Sequence, residues 1–158
     1  MPYAENAGTR IYWEAEGSGE PLLLIMGMGY TSALWYRLRP LMARHYRTLV
    51  FDNRGVGQSE APEGPYQIHT LAADALAVLE AAGAEQAHVL GLSLGGMMAQ
   101  ELVLAHPQRV RALVLGATGC GGEQAVPPTP KVRELLETAR LKMGSAQLCN
   151  AFSALIRL

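Results

Sequence analysis

Cysteine is scarce in this 158-residue chain: Cys120 and Cys149 are its only two. They share no CxxC spacing, so neither a disulfide framework nor a zinc ribbon organises the fold. Positive charge is not in excess either. Thirteen Lys and Arg stand against fourteen Asp and Glu, a net charge of −1, and no basic block offers the footprint that phosphate binding requires. Nucleic acid is therefore not an expected partner. Long apolar runs are missing: Leu22 to Met28 is the longest, far short of a bilayer span, so no membrane association is expected. Met1-Pro2-Tyr3-Ala4-Glu5-Asn6 has neither the basic start nor the apolar stretch of a signal peptide. No pair of His, Asp, Glu or Cys has ligand spacing on one helical face, so no metal is expected. Gly27-Met28-Gly29 lacks the further glycine of a dinucleotide fingerprint, so no nucleotide cofactor is expected. With 49% hydrophobic and 17% charged residues, the composition is that of a core-forming chain. A soluble, cytoplasmic α/β domain is the expectation.

Short apolar runs alternate with longer helical patterns, as in a layered α/β fold. Arg10–Ala15 reads as an edge-side strand. Pro21–Met26, Arg47–Phe51, Ala87–Leu92 and Arg111–Leu115 are apolar without alternation, which predicts strands of a parallel sheet buried on both faces. Between them, Leu71–Ala82 carries an apolar stripe, begins after Thr70 as N-cap and stops at Gly83. Leu94–Ala105 is apolar almost all round, a buried helix with Pro107 past its end. Leu38–His45 tolerates Pro40 only in its first turn. After Thr118 the texture changes to a Gly- then Pro-rich connector, and Lys131–Met143 and Ser145–Leu158 read as amphipathic helices. Residues 1–118 are thus expected to form the core and 119–158 a connector with two helices.

Gly91-Leu92-Ser93-Leu94-Gly95 is a GxSxG between a buried strand and a buried helix. A serine on so sharp a turn is held at strained backbone angles with its hydroxyl above the sheet. The crowding demands small residues two before and two after, which Gly91 and Gly95 supply, and Gly96 adds room for the helix. The helix starting at Leu94 aims free N–H groups and a positive dipole end at the same point, which suits a developing oxyanion.

These residues resemble the α/β-hydrolase family. Met26-Gly27-Met28-Gly29 after the first buried strand stands where that family carries its oxyanion turn, with Met26 in place of the usual His. Asp52-Asn53-Arg54-Gly55-Val56-Gly57-Gln58-Ser59 after the next strand matches the family's D-x-R-G-x-G-x-S loop. The three motifs, in order, cover about residues 10–118. The resemblance implies a mostly parallel sheet flanked by helices, ending in two lid-like helices, with Ser93 as nucleophile and the backbone N–H groups of Met28 and Leu94 as oxyanion donors. Gly27 and Trp35 are candidates for the substrate side, although Trp35 has packing against the sheet as its alternative. The blander reading holds for other motif residues. Asp52 and Arg54 are expected to pair and hold their loop, Ser59 to serve a turn, and the methionines to fill core, with Met28 alone kept as a candidate pocket wall.

A serine nucleophile needs a base, and the base a carboxylate to orient it. The family supplies these after the serine, yet no Asp follows Asp74 and His106 is the only later His. The family's later strands have no counterpart here, so a truncated version of the fold is expected. Strands of a parallel sheet run toward the ligand edge and helices away from it. By that rule His45, His88 and His106 lie on the far edge, and His69 alone shares the edge of Ser93. His69 is the candidate base and Glu123, in the connector, the candidate acid; a solvent-exposed role is the alternative for His69. An uncovered last strand also predicts a homodimer or larger assembly, through that edge or by exchange of the terminal helices, unless helices 131–158 fold back over it. The functional expectation is a serine hydrolase of a small-molecule carboxylic ester or related acyl compound. The alternative is a non-catalytic fragment acting as a binding or oligomerisation module.

Overall fold

Leu22, Leu23, Leu24 and Ile25 are each buried almost completely, because alternate side chains of this strand enter two different cores. Leu23 and Ile25 join Leu49, Phe51 and Val89 on one face, under Leu71, Ala75 and Leu79 of one helix and Met98, Ala99 and Leu102 of another. Leu22, Leu24 and Met26 join Val50 and Trp35 on the opposite face. A run with no polar alternate is what such two-sided burial selects.

The computed structural model describes residues 2–121, 126 and 129–134. In chain order these form β1 (Tyr3–Asn6), β2 (Thr9–Glu16), β3 (Pro21–Ile25), α1 (Leu38–Met42), β4 (Arg47–Phe51), α2 (Ile68–Ala81), β5 (Ala87–Leu92), α3 (Leu94–Ala105) and β6 (Val110–Gly116). Short 3₁₀ turns occupy Ser32–Tyr36 and Pro107–Arg109. One six-stranded sheet has the order β1-β2-β4-β3-β5-β6. Strands β3 to β6 are mutually parallel, and the β1–β2 hairpin joins β4 antiparallel. This is the mostly parallel α/β architecture expected from the sequence.

Several element ends, and the place of one strand, differ from expectation. Strand β2 is not at the edge: β1 lies outside it, joined through Ala7 and Gly8, both at positive φ, as in the primed hairpin turns. The four polar-flanked residues of β1 carry too short a pattern to announce a strand. Helix α2 starts at Ile68 after Gln67, which makes no side-chain cap, and not after Thr70; Ile68 packs against the core and draws the extra turn in. Helix α1 stops at Met42, whose carbonyl accepts both the His45 and Tyr46 N–H groups as the chain turns into β4. Strand β6 gains one residue at each end. Residues 130–134 begin the expected helix Lys131–Met143; its remainder, Ser145–Leu158 and Glu123 lie outside the described residues.

The order places a topological switch between neighbours β3 and β5: from β3 the chain leaves toward β4, and from β5 toward β6. Crevices for ligands form at the carboxyl ends of such strands. The segments emerging there begin at Met26 and Ser93.

The buried tie beside this crevice is an ion pair between the loop after β4 and α2. Arg54 Nε and a terminal nitrogen lie 2.6 and 2.5 Å from the two oxygens of Asp74, which also accepts from Asn6 Nδ2 at 2.7 Å. Asp74 is fully buried. Substituting Asp74→Ala leaves Arg54 charged and unmatched, and should destabilise the fold by about 3–5 kcal/mol. Urea unfolding checks this; a loss below about 1 kcal/mol would show that the pair is dispensable.

Candidate active site

Ser93 follows β5 directly and caps α3 with φ 53° and ψ −118°, a backbone conformation that residues bearing a Cβ rarely adopt. Hydrogen bonds hold it there from three sides. The Ser93 N–H donates to the Gly116 carbonyl at 2.9 Å, and the Ser93 carbonyl accepts from the Gly96 N–H at 2.9 Å. The Thr118 hydroxyl donates to that same carbonyl at 2.7 Å. The side chain is exposed, and its hydroxyl makes no hydrogen bond among the described residues.

The surrounding glycines are required by space. A Cβ on Gly91 would collide with the Gly95 carbonyl, and one on Gly95 with the Ile25 and Met26 carbonyls at the end of β3. A Cβ on Gly96 would sit 2.5 Å from the Thr118 methyl carbon. Helix α3 thus starts pressed against β3, as the GxSxG spacing predicts.

Gly27 lies beside the serine: a Cβ there would be 3.3 Å from Ser93 Cβ and 3.9 Å from its Oγ. Register explains this, since Ile25 pairs with Gly91 and two more residues along each strand bring Gly27 alongside Ser93. Met28 and Leu94 line one small pocket together with Asn53, Arg54, Tyr66 and Leu71. Neither the Met28 nor the Leu94 N–H donates to an acceptor among the described residues. Leu94 is the first residue of α3, where an amide has no partner within its helix.

The loop after β4 supports these turns through four side chains, each with a different task. The Asp52 carboxylate accepts the N–H of Ser32 at 2.7 Å and of Gln58 at 2.9 Å. Asn53 Nδ2 donates to the Met26 carbonyl at 3.0 Å. Arg54 reaches Asp74, and Ser59 donates to the Asp52 carbonyl at 2.5 Å while accepting the Tyr12 N–H at 2.9 Å. The expected Asp52–Arg54 pair is thereby corrected: both residues tie the loop, but to separate partners, because Asp52 is consumed by backbone amides. Arg54 also lies 5.8 Å from the centre of the Tyr66 ring. Burial pushes the Tyr66 phenol above its ordinary pKa, with the Arg54 charge opposing and the Asp74 charge reinforcing the shift.

The other candidates are more dispersed. His69 is exposed in the first turn of α2 and forms no hydrogen bond with Ser93; Leu71, two residues on, lines the Met28–Leu94 pocket, so this end of α2 does share the edge. Trp35 is buried in the core between β3, β4 and α1, which is the packing alternative of its two readings. His88, at the start of β5, meets Glu20 at 3.0 Å. Among the described residues no group of His, Cys, Asp and Glu is arranged for a metal ion, and no helix is long and apolar enough to cross a membrane.

Residues 20–145 match the family model described as alpha/beta hydrolase fold. The chain belongs to this family. A putative carbamate hydrolase of Azorhizobium caulinodans is 42% identical over 116 residues, covering 73% of this chain and 43% of that protein. The pimeloyl-[acyl-carrier protein] methyl ester esterase of Aeromonas hydrophila is 39% identical over 106 residues, covering 66% of this chain and 40% of that protein. Among solved structures, the enol-lactonase from Burkholderia xenovorans superposes with a TM-score of 0.68 at 31% identity, covering 71% of this chain and 45% of that one. This hydrolase-fold chain spans about two fifths of the length of the curated relatives it matches.

Sequence reasoning passed over Asn53, Asp74 and Thr118. Asp74 had a usable signal, being the one charge among the apolar residues 71–79 of α2. Thr118 had none, since its role depends on where β6 delivers it.

Backbone strain at position 93 predicts an inverted order of stability. Ser93→Gly should be more stable than Ser93→Ala by about 1 kcal/mol, because glycine alone adopts this φ without cost. Equal urea midpoints for the two variants would show that no strain is stored.

Proposed function

We propose that the chain is a serine hydrolase acting on a small-molecule carboxylic ester or related acyl compound. The single observation that carries this reading is the exposed Ser93 hydroxyl, without a hydrogen bond among the described residues, on a strained turn, together with Met28 and Leu94 amides that have no acceptor among those residues. The relatives fit it: a carbamate, a methyl ester and an enol-lactone each offer a carbonyl carbon to a nucleophile.

In this mechanism Ser93 Oγ attacks that carbon and gives its proton to a base. The carbonyl electron pair moves onto oxygen, where the Met28 and Leu94 N–H groups hold it. Collapse expels the leaving group and leaves an acyl-serine, which water cleaves by the same route. His69 is the proposed base, Glu123 the proposed acid, and Gly27 gives the substrate close access to Ser93. Residues 1–118 form the catalytic core in this reading, and 119–158 the connector and lid. The exposed free Cys120 suits the reducing cytoplasm.

Labelling with a fluorophosphonate tests the proposal. Ser93 should be modified in the wild type and not in Ser93→Ala, and the wild type should hydrolyse an activated ester at least about 10³-fold faster than that variant, which keeps only the residual acceleration over water, about 10³–10⁴-fold, that binding and the oxyanion donors supply. Absent labelling with equal hydrolysis by both would defeat it. His69→Ala should cost about 10²-fold or more in rate; an unchanged rate removes His69 as base.

One observation favours a further role as an oligomerisation module. Strand β6 pairs with β5 alone among the described strands, and Val114 and Leu115 are 56% and 43% exposed. Edge strands of this kind recruit another chain, and a second copy is the proposed occupant. Sedimentation at micromolar concentration should give a dimer, and Val114→Lys a monomer. A monomeric wild type would dismiss the assembly.

A further inference from the structure

Asn53 is 4% exposed, and its two amide ends are treated unequally. Nδ2 donates to the Met26 carbonyl at 3.0 Å. Oδ1 is buried with no partner among the described residues. Leaving a buried acceptor unmatched is unfavourable, and an apolar side chain of the same shape would only exchange that orphan for another, the buried Met26 carbonyl. Stability by itself therefore does not account for an asparagine at this position. What the amide uniquely provides is a donor to one carbonyl, and that carbonyl belongs to the peptide joining Met26 to Gly27.

We infer that Asn53 is a positioning residue for the proposed oxyanion turn. The Met26 carbonyl is the last rigid point before the turn: Ile25 ends β3, and Gly27, with no side chain, can rotate freely about its backbone bonds. The amide that follows, Met28 N–H, is aimed by the orientation of the Gly27–Met28 peptide. Fixing the preceding peptide from Asn53 removes one of the two hinges by which that amide could turn away. The donor is itself well anchored. Asn53 follows Asp52, whose carboxylate holds two backbone amides, and precedes Arg54, bound to Asp74. The Asn53 carbonyl accepts the Val56 N–H at 2.9 Å, closing the loop on itself. Asn53, Met28 and Leu94 also line the same pocket, so the tie reaches the turn beside the two residues whose amides are proposed as donors.

The inference rests on the hydrolase reading for its chemical consequence, but the hold on the turn can be measured separately. Asn53→Leu keeps the volume and removes both amide ends, Asn53→Asp keeps the shape but replaces the donor with an acceptor facing a carbonyl, and Asn53→Ala provides a variant should either of these fail to fold. Melting of the Leu or Ala variant should match the wild type within a few degrees. Fluorophosphonate labelling of Ser93 should nevertheless slow about ten- to a hundredfold, the scale of a misdirected oxyanion donor. With an activated ester, kcat should fall and KM stay unchanged. In NMR spectra of the full chain, the Gly27 and Met28 amides should shift and exchange faster in all folded variants. Labelling within twofold of the wild type, or unmoved Gly27 and Met28 amides, would overturn the assignment. Should the wild type itself resist labelling, the hydrolase reading fails, and the amide exchange alone decides whether Asn53 holds the turn.

Discussion

The rest of the structure depends on the contact between the start of α3 and the end of β3. Gly95 lies so close to the Ile25 and Met26 carbonyls that no Cβ fits between them. That approach lets β5 pass into α3 with one intervening residue, and Ser93 takes the strained angles because nothing else spans the turn. Dense packing turns a small allowance of space into a fixed geometry. With a bulkier residue at position 95, α3 would lift from the sheet, and the Leu94 amide and the Gly27 backbone would part.

Strain of this kind persists only where the surroundings over-determine it. Here the reinforcement comes from both flanks. On one side β6 accepts the Ser93 N–H at Gly116 and returns Thr118 to the Ser93 carbonyl. On the other, the loop after β4 distributes Asp52, Asn53, Arg54 and Ser59 to four different segments. These polar side chains are all buried, and most of their hydrogen-bonding capacity is satisfied. A buried polar loop tied at this many points makes a rigid platform, because displacing any one member strands its partners. Among the described residues, the crevice at the switch between β3 and β5 is consequently bounded by hydrogen-bonded turns.

Toward β6 the same sheet is less protected. Strands β3 and β4 are covered on both faces, but most of β6 is exposed. The matched region covers about two fifths of the curated relatives, and among the described strands burial falls off toward β6. A half-exposed parallel strand is unusual because such sheets draw their stability from burial on both faces.

Much of this was legible in the sequence. Unbroken apolar runs announced the doubly covered strands, and glycines at fixed offsets from Ser93 announced the crowded turn, since each is a local demand that a short stretch must meet by itself. The element ends were less legible: Ile68 entered α2 because of a core that its own neighbours do not encode, and β1 forms because β2 and α2 both offer it partners. What tertiary structure alone decided was which side chains meet. Asp52 and Arg54, two positions apart, turned to different partners, and Asn53 found a carbonyl 27 residues away. Sequence fixes the residues a turn can accommodate through local sterics; only the packed sheet brings β3, β4 and β5 close enough for hydrogen bonds to choose among distant groups.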